Sequence, residues 1–268
     1  MAAAVLILLI FIFLFALKGR VGHPGLPLLR QYAYAHRGLH NSDVPENSLE
    51  AFRRAFDSGY GVELDLHLLK DGNIGIMHDS DLKRMTGRSG FLEELTTGQL
   101  QDYHLNGTEE TIPTFSQVLE LCRGRFPLII ELKSFRGNAD QVAETACRLL
   151  EGYEGPYCLE SFDPRCVRWL RTHRPQLVRG QLSEDFIKND ASHISLFLRI
   201  LATFHLETFW VKPDFIAQKF CDRKIFTNFL LRKLWHVQGV SWTLQNQEEY
   251  NRAVKEGYIP IFEGFLPE

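Results

Sequence analysis

The sequence predicts an α/β protein: a (β/α)₈ TIM barrel with a small insertion after the second strand, preceded by one N-terminal transmembrane helix. From Tyr32 onwards, short apolar runs alternate with amphipathic stretches, a pattern typical of a parallel sheet. About eight such units fit into roughly 240 residues, which is the usual size of this barrel. No Gly-x-Gly-x-x-Gly motif follows a strand, so a dinucleotide-binding fold is not supported.

Residues 1–20 are predicted to form a membrane anchor. The run from Ala2 to Leu17 contains no polar side chain, and as a helix it would extend about 24 Å, slightly less than a bilayer core of about 30 Å. A cleaved signal peptide is the alternative, but no basic residue precedes the run and no small-residue cleavage site follows it. Lys18, Arg20 and Arg30 follow it, which predicts a single-pass protein with its catalytic domain in the cytoplasm.

The composition restricts the function classes of the rest of the chain. Residues 21–31, with two prolines, are predicted to link the anchor to a domain over residues 32–268. The chain has 30 Lys and Arg against 33 Asp and Glu, which argues against a general nucleic-acid-binding protein. Its five cysteines lack the spacing of a disulfide framework or a zinc site. The oligomeric state stays open.

The barrel elements follow in chain order. The first strand, Tyr32–Ala35, ends at His36, and a helix begins at about Ser48, a residue suited to the N-cap. Residues 79–112 show no clear helical pattern, and we interpret them as an insertion over the barrel mouth. The other strand candidates are Val62–Leu66, Ile74–Met77, Leu128–Leu132, Tyr157–Leu159, Val178–Leu182, Phe209–Val211, Val240–Leu244 and Ile259–Phe262, and later helices are predicted at about 114–122, 139–151, 164–172, 222–235 and 247–256.

Charged residues occur at the ends of the predicted strands, where a TIM barrel places its active site. Glu63 and Asp65 are two residues apart, which puts both carboxylates on one side of their strand. Glu131 and Lys133 repeat this spacing on a later strand. Three carboxylates in one barrel mouth would repel each other unless a cation binds, and oxygen ligands suit Mg²⁺ or Ca²⁺. We therefore expect one divalent ion at Glu63, Asp65 and Glu131.

Cationic and titratable side chains accompany these carboxylates. Arg37 and Lys133 are donors suited to an anion such as phosphate. His36 and His78 have intrinsic pKa values suited to proton transfer near neutrality. Each signal alone is more often structural than functional, as a solvated carboxylate pair, an ion pair or a buried histidine. Their coincidence at predicted strand ends indicates a metal-assisted phosphoryl-transfer site.

Several longer stretches form an ordered set. They are AHRGLH at 35–40, PENSLEAFRRAFDSGYGVELDLHLLKDG at 45–72, HDSDLKRMTG at 78–87, IPTFSQVLEL at 112–121, PLIIELK at 127–133, SF at 161–162 and SWTLQN at 241–246. In this combination the sequence resembles the glycerophosphodiester phosphodiesterase family, a set of metal-dependent TIM-barrel enzymes. The resemblance covers residues 33 to 268. One departure is the end of the last strand, where many relatives have a Thr-Asp turn and this chain has Glu263 and Gly264, so the pocket rim is expected to differ.

The resemblance implies a role for each matching position. It implies that His36 and His78 are the acid–base pair, that Glu63, Asp65 and Glu131 hold the ion, and that Arg37 and Lys133 bind the diester oxygens. It further implies that Glu46 and Asn47 support the first-strand loop and the surroundings of His36, that Trp242 lines the glycerol side of the pocket and that Phe162 adds an apolar wall.

The expected reaction is metal-dependent hydrolysis of glycerophosphodiesters to glycerol 3-phosphate and an alcohol. The resemblance suggests initial attack by the glycerol 2-hydroxyl, giving a cyclic phosphate, and leaves open which histidine is the acid. One alternative is lysophospholipase D-type hydrolysis of lysolipids. The apolar segment His193–Leu206 either lies on a bilayer, which favours that reaction, or forms an ordinary barrel helix. A non-catalytic membrane-tethered binding protein is the other alternative, and it predicts the loss of chemical positions that are all present here.

Overall fold

The computed structural model describes residues 1–189 and 194–268, and a closed barrel forms its centre. The strands in this part of the chain are Tyr34–His36 (β1), Gly61–Leu68 (β2), Ile74–Ile76 (β3), Leu128–Leu132 (β4), Tyr157–Ser161 (β5), Arg179–Ser183 (β6), Phe215–Lys219 (β7), Gln238–Leu244 (β8) and Tyr258–Phe262 (β9). Eight of these described strands are parallel and follow the order β1-β2-β4-β5-β6-β7-β8-β9. Strand β1 pairs with both β2 and β9, which closes the sheet. The predicted TIM barrel is confirmed.

Helices surround this sheet. In the described part of the chain they are Ala2–Ala16 (α1), Leu26–Leu29 (α2), Leu49–Asp57 (α3), Lys83–Thr86 (α4), Phe115–Cys122 (α5), Ala139–Leu149 (α6), Pro164–His173 (α7), Leu196–Thr203 (α8), Thr208–Val211 (α9), Phe226–Lys233 (α10) and Gln247–Lys255 (α11), with 3₁₀ turns at Leu92–Glu94, Thr97–Asp102 and Phe220–Asp222. The predicted N-cap of α3 is confirmed, because the Ser48 hydroxyl accepts a hydrogen bond from the Ala51 amide. Cys221 is exposed, and the other four cysteines are buried without disulfides.

Alternation along the strands divides the core into two layers. Val62, Leu64 and Leu66 of β2 pack with the apolar faces of the surrounding helices. Residues of the opposite parity, such as Tyr34 and Ile129, belong to a second cluster inside the barrel. Since successive side chains of a strand point to opposite faces, the positions between the outward-facing residues of β2 are directed to the interior. That is where the sequence places its carboxylates.

The segment between β2 and α5 forms a small unit beside the barrel mouth. Strand β3 runs antiparallel to β2, and the segment has an apolar cluster of its own that includes Met77, Leu82 and Leu92. Beneath this cluster, the Nδ1 of the buried His67 lies 2.7 Å from the Glu93 carboxylate. The unit is therefore attached to β2 by both a strand pairing and a buried polar contact.

One predicted strand, Phe209–Val211, is wrong. These residues lie in the short helix α9, and the seventh barrel strand is Phe215–Lys219 instead. The helix ends at Lys212, which has a left-handed backbone with φ of 46°, and Pro213 follows. The chain can enter the sheet only after this break, and the Asp214 carboxylate fixes the entry by accepting a hydrogen bond from the Arg179 amide.

The prediction of a single-pass membrane protein is also wrong. Helix α1 has 15 residues, and in the described parts of the chain no helix is long and apolar enough to span a bilayer. The helix ends at Ala16, and the next residue, Leu17, is fully buried beside Ile216, Leu231 and Val237. The cytoplasmic placement of the catalytic domain depended on that span and is withdrawn with it.

The segment after α1 packs against the barrel end where the strands begin. The Arg20 guanidinium pairs with Asp214 and donates a hydrogen bond of 2.8 Å to the Leu177 carbonyl. Leu26 and Leu29 of α2 are buried in the inner cluster of the barrel. This segment therefore covers the face opposite the strand ends that carry the predicted site.

Candidate active site

Strand register brings the predicted carboxylates together. His36 is paired with Glu63 between β1 and β2, and Asp65 is paired with Glu131 between β2 and β4. Paired residues on neighbouring strands lie about 5 Å apart and share a face. One oxygen each from Glu63, Asp65 and Glu131 lies within 4.8 Å of the other two. The three carboxylates therefore meet inside the barrel at the carboxyl ends of its strands.

Burial and neighbouring charges shift the pKa values of the three carboxylates in different directions. Burial raises the pKa of Glu63 well above its usual range, and the neighbouring Asp65 and Glu131 raise it further. Burial also raises the pKa of Glu131 to about 7, against the opposing effect of Lys133. Asp65 behaves differently, because Lys133 and other cationic neighbours outweigh its burial and lower its pKa. The protein's own cations therefore compensate Asp65 more completely than the two glutamates.

Lys133 lies between two members of the cluster. Its Nζ is 2.8 Å from Glu131 and 3.0 Å from Asp65. Burial alone would lower the pKa of Lys133, but the two carboxylates outweigh it and raise the pKa above the usual value. The ammonium is therefore charged and held at the cluster.

The loop after β1 adds a second cation. The Arg37 amide donates to Glu63 over 3.2 Å, and the Arg37 side chain donates to Glu46 over 2.8 Å. Asn47 donates its side-chain amide to Asp65 over 2.8 Å and its backbone amide to the Arg37 carbonyl. Arg37 and Asn47 both adopt positive φ, a costly conformation that these contacts maintain. The predicted support of the first-strand loop thus has a counterpart in these contacts.

Gly38 explains why this loop can approach α3. Its φ is 83°, and a Cβ at this position would lie 2.7 Å from the backbone of Ala51. A larger residue would therefore displace either the loop or the helix, and with it the arginine and histidine that precede the glycine.

His36 is held from the last strand. Its Nδ1 contacts the Glu263 carboxylate, and its Nε2 lies 3.8 Å from Glu63. Burial lowers the pKa of His36, although Glu263 opposes this effect. Glu263 also lies 3.7 Å from the Nε2 of His40. The Glu263 contact leaves Nε2 as the nitrogen of His36 that faces the cluster.

His78 is held from the insertion. Its Nδ1 lies 2.7 Å from the Asp79 carboxylate, and Asp79 in turn pairs with Arg84. Arg84 also donates to Glu46 over 2.7 Å, which connects the insertion to the loop after β1. Burial lowers the pKa of His78 to about 4, and the charge of Lys133 contributes to the decrease. Both predicted histidines therefore have a carboxylate on Nδ1.

The two predicted pocket aromatics come from strands other than those that carry the histidines. Phe162 follows β5 and makes an edge contact with Trp242, with ring centroids 5.7 Å apart. The Trp242 indole donates to the Ala217 carbonyl. Phe162 lines a cavity that also contacts Glu131 and Lys133, whereas Trp242 does not belong to the described lining of that cavity.

Three polar residues at the site were not predicted as functional from the sequence. Glu263 had been interpreted only as a departure at the pocket rim, and Asp79 only as part of a motif. Glu160, which pairs in register with Glu131, is buried, and its burial raises its pKa well above the usual range. The signal for Glu160 and Glu263 was available, because both are charged residues at strand ends.

The residues present fit a divalent cation. They supply three mutually close carboxylates beside two cations, Lys133 and Arg37, so that one formal negative charge of this set has no cationic counterpart. Hard oxygen ligands of this kind are those preferred by Mg²⁺ and Ca²⁺.

Several known proteins that are similar to this chain are phosphodiesterases. The model of the glycerophosphoryl diester phosphodiesterase family matches residues 36–263. Glycerophosphodiester phosphodiesterase 1 of Homo sapiens is 37% identical over 265 residues, covering 87% of this chain and 78% of that protein. A glycerophosphodiester phosphodiesterase of Caldanaerobacter subterraneus is 27% identical over 239 residues, covering 85% of this chain and 92% of that protein.

Solved structures show the same fold. An Oleispira antarctica phosphodiesterase in complex with the product sn-glycerol-3-phosphate superposes with a TM-score of 0.72 at 19% identity, covering 91% of this chain and 95% of that one. A glycerophosphodiester phosphodiesterase of Thermotoga maritima gives a TM-score of 0.64 at 22% identity, covering 87% and 93%.

Proposed function

Since the chain belongs to the glycerophosphoryl diester phosphodiesterase family, a family of hydrolases, we propose that its barrel, residues 32–268, hydrolyses glycerophosphodiesters to sn-glycerol 3-phosphate and an alcohol with the aid of a divalent cation. The observation that carries the proposal is the meeting of three carboxylates, two cations and two carboxylate-bound imidazoles at one barrel mouth. A non-catalytic binding protein would not require this set.

Glu63, Asp65 and Glu131 are the residues that would hold Mg²⁺ or Ca²⁺. When bound there, the cation supplies electrostatic stabilisation of the charge that develops on the phosphoryl oxygens. Arg37 and Lys133 add fixed positive charge beside the same position. Because both are already paired with carboxylates, they require little reorganisation when an anionic diester arrives.

The two histidines account for the proton transfers. Each has its Nδ1 oriented by a carboxylate, which leaves Nε2 free to exchange a proton. One imidazole accepts the proton of the attacking oxygen, and the other donates a proton to the oxygen of the departing alcohol. Over the whole reaction, water adds across one P–O bond, and no oxidant or further group is consumed.

The test is an assay of the purified chain with glycerophosphocholine and glycerophosphoethanolamine. We expect release of sn-glycerol 3-phosphate, a loss of about 100-fold or more in rate after chelation, and recovery with Mg²⁺ or Ca²⁺. Glu131→Gln should reproduce the loss, whereas Glu144→Gln on the exposed face of α6 serves as the matched control.

Two results would contradict the proposal. Release of choline phosphate in place of choline would place the cleavage on the wrong side of phosphorus. A rate that is unaffected by chelation, with equal activity in the Glu131 and Glu144 variants, would remove the role of the carboxylate cluster.

A further inference from the structure

A cavity of about 930 Å³ extends from the carboxylate cluster towards α8 and α9. At the barrel mouth its lining includes His78, Glu131 and Lys133. Beside β6 the lining becomes apolar and includes Leu198, Leu201, Ala202, Leu206 and Phe209. The proposed catalytic groups and an apolar wall therefore belong to one continuous space, whose size is that of a pocket for a sizeable organic ligand.

The apolar wall is partly exposed in the described part of the chain. Leu198 is 51% exposed and Phe209 is 59% exposed, although both line the cavity. Apolar side chains gain free energy when a ligand removes them from water. A glycerophosphodiester with a small polar alcohol has no group that would use this wall.

Several polar side chains line the cavity beside this wall, and two of them, Arg199 and Glu207, have a buried polar atom without a hydrogen-bond partner among the described residues. Asp163 accepts a hydrogen bond of 2.6 Å from Ser134 and pairs with Arg165 over 2.7 Å. Burial raises the pKa of Glu207 to about 8, so this carboxyl is largely uncharged at neutral pH. The five side chains of the wall itself, however, carry no polar atom, which suits contact with hydrocarbon.

We propose that this cavity binds a hydrocarbon chain carried by the phosphodiester substrate, so that the enzyme prefers acylated or alkylated glycerophosphodiesters to glycerophosphocholine. The proposal rests on the proposed function, because it uses the same catalytic groups at the mouth of the cavity. The hydrocarbon chain is attached either to the glycerol, as in a lysophospholipid, or to the departing alcohol. In both cases the ligand has a flexible alkyl chain next to the phosphate.

The first experiment varies chain length on each side of the phosphate. Its substrates are 1-acyl-glycerophosphocholines with hexanoyl and decanoyl chains, glycerophosphohexanol and glycerophosphodecanol, all below their micellar concentrations, with glycerophosphocholine as reference. Four methylenes buried at about 0.8 kcal/mol each correspond to about 200-fold in kcat/KM. Because the wall is partly open, we expect at least about tenfold between the short and long members of one series.

The two series distinguish the sources of the chain. A gain with length in the acyl-glycerol series assigns the cavity to the glycerol side, and a gain in the alcohol series assigns it to the departing group. If glycerophosphocholine is hydrolysed but neither series gains with length, the cavity proposal is overturned while the proposed function stands. If no phosphodiester is hydrolysed, both are overturned.

The second experiment uses two leucines of the same helix. Leu198 lines the cavity, whereas Leu196, which is 57% exposed, is absent from the described lining. Leu198→Asp should reduce the preference for the favoured ten-carbon substrate over glycerophosphocholine by about tenfold, because a bound hydrocarbon chain would remove the new carboxylate from water. Leu196→Asp should keep the wild-type preference.

Equal preference ratios in both variants would overturn the proposal. An oligomer that dissociates in Leu198→Asp, with unchanged chain-length preference, would also overturn it and would assign the apolar wall to contact with a second copy of this chain. Since both leucines are about half-exposed, the substitutions leave the buried core intact, and thermal unfolding of each variant provides the check.

Discussion

The two histidines of the candidate site differ in what holds them. His36 ends a strand that is paired on both sides, and its partner Glu263 follows the neighbouring strand β9. His78 follows β3, outside the barrel, and its partner Asp79 depends on ion pairs with the insertion residue Arg84. The exposed fraction of the side chain is 14% for His36 and 36% for His78.

One half of the site is therefore fixed by the closed sheet and the other by a polar network. On the His78 side, contacts run from Asp79 through Arg84 and Glu46 to Arg37. A buried contact adds a second attachment, because the Nε2 of His67 lies 3.3 Å from the His78 carbonyl oxygen. The His36 side should therefore tolerate changes in the insertion, whereas the His78 side should respond to them.

Removal of either imidazole should give the largest effect. His36→Ala and His78→Ala should each lower kcat by about 10²–10⁴-fold with folding intact, because each removes one of the two proposed proton-transfer groups. Added imidazole should restore more activity to His78→Ala, since that site is the more open one. His104→Ala, at an exposed position of the insertion, is the control, and near-normal turnover of either active-site variant would refute the assignment.

Substitution of Glu263 tests whether its contact with Nδ1 orients His36. Glu263→Ala and Glu263→Gln should lower kcat by about 10–100-fold with a smaller change in KM, because a partner of an imidazole sets its tautomer and orientation. Glu263→Asp should recover part of the loss. A purely structural role would instead lower the melting temperature and leave the kcat of the folded protein near that of the wild type.

The sequence predicted the parts of the site that lie on regular strands. Glu63, Asp65 and Glu131 could be placed together because alternation and strand order determine which side chains share a face. Glu263 follows the same rule, but it was interpreted as a departure from relatives and not as a charged strand end. The motifs, and not the periodicity, indicated the family and the proposed reaction.

The remaining features depend on tertiary contacts that have no local signal. Arg84 and Glu46 are 38 residues apart in sequence, and Arg84 lies in the insertion, whose sequence has no clear helical pattern. The strand predicted at Phe209–Val211 satisfied β-propensity, but its context places it in a helix that ends before Pro213. The apolar run at the N-terminus was interpreted by hydropathy alone, which gave no indication that Leu17 packs in the barrel.

Substitution of Arg84 tests the polar network of the insertion. Arg84→Ala should lower kcat by about three- to tenfold, because Asp79 and Glu46 lose a shared partner and His78 loses part of its orientation. Arg84→Lys should recover only part of the activity, since an ammonium cannot reproduce the two-sided guanidinium contact. An equal loss in Arg53→Ala, whose ion pairs lie on the exposed face of α3, would argue against a specific role for Arg84.

Ionic strength should give the smallest effect and separates the two supports most directly. Raising the salt from 0.1 M to 1 M shortens the Debye length from about 10 Å to about 3 Å, which weakens partly exposed ion pairs more than buried ones. The ratio of wild-type to Arg84→Ala kcat should therefore fall towards about two at high salt, because the wild type loses what the variant already lacks. The ratio of wild-type to Glu263→Ala kcat should change less, since the Glu263 contact with His36 is the less exposed of the two. Measuring kcat at saturating substrate keeps the salt dependence of phosphate binding out of the comparison, and equal shifts of both ratios would show that the two halves of the site are supported alike.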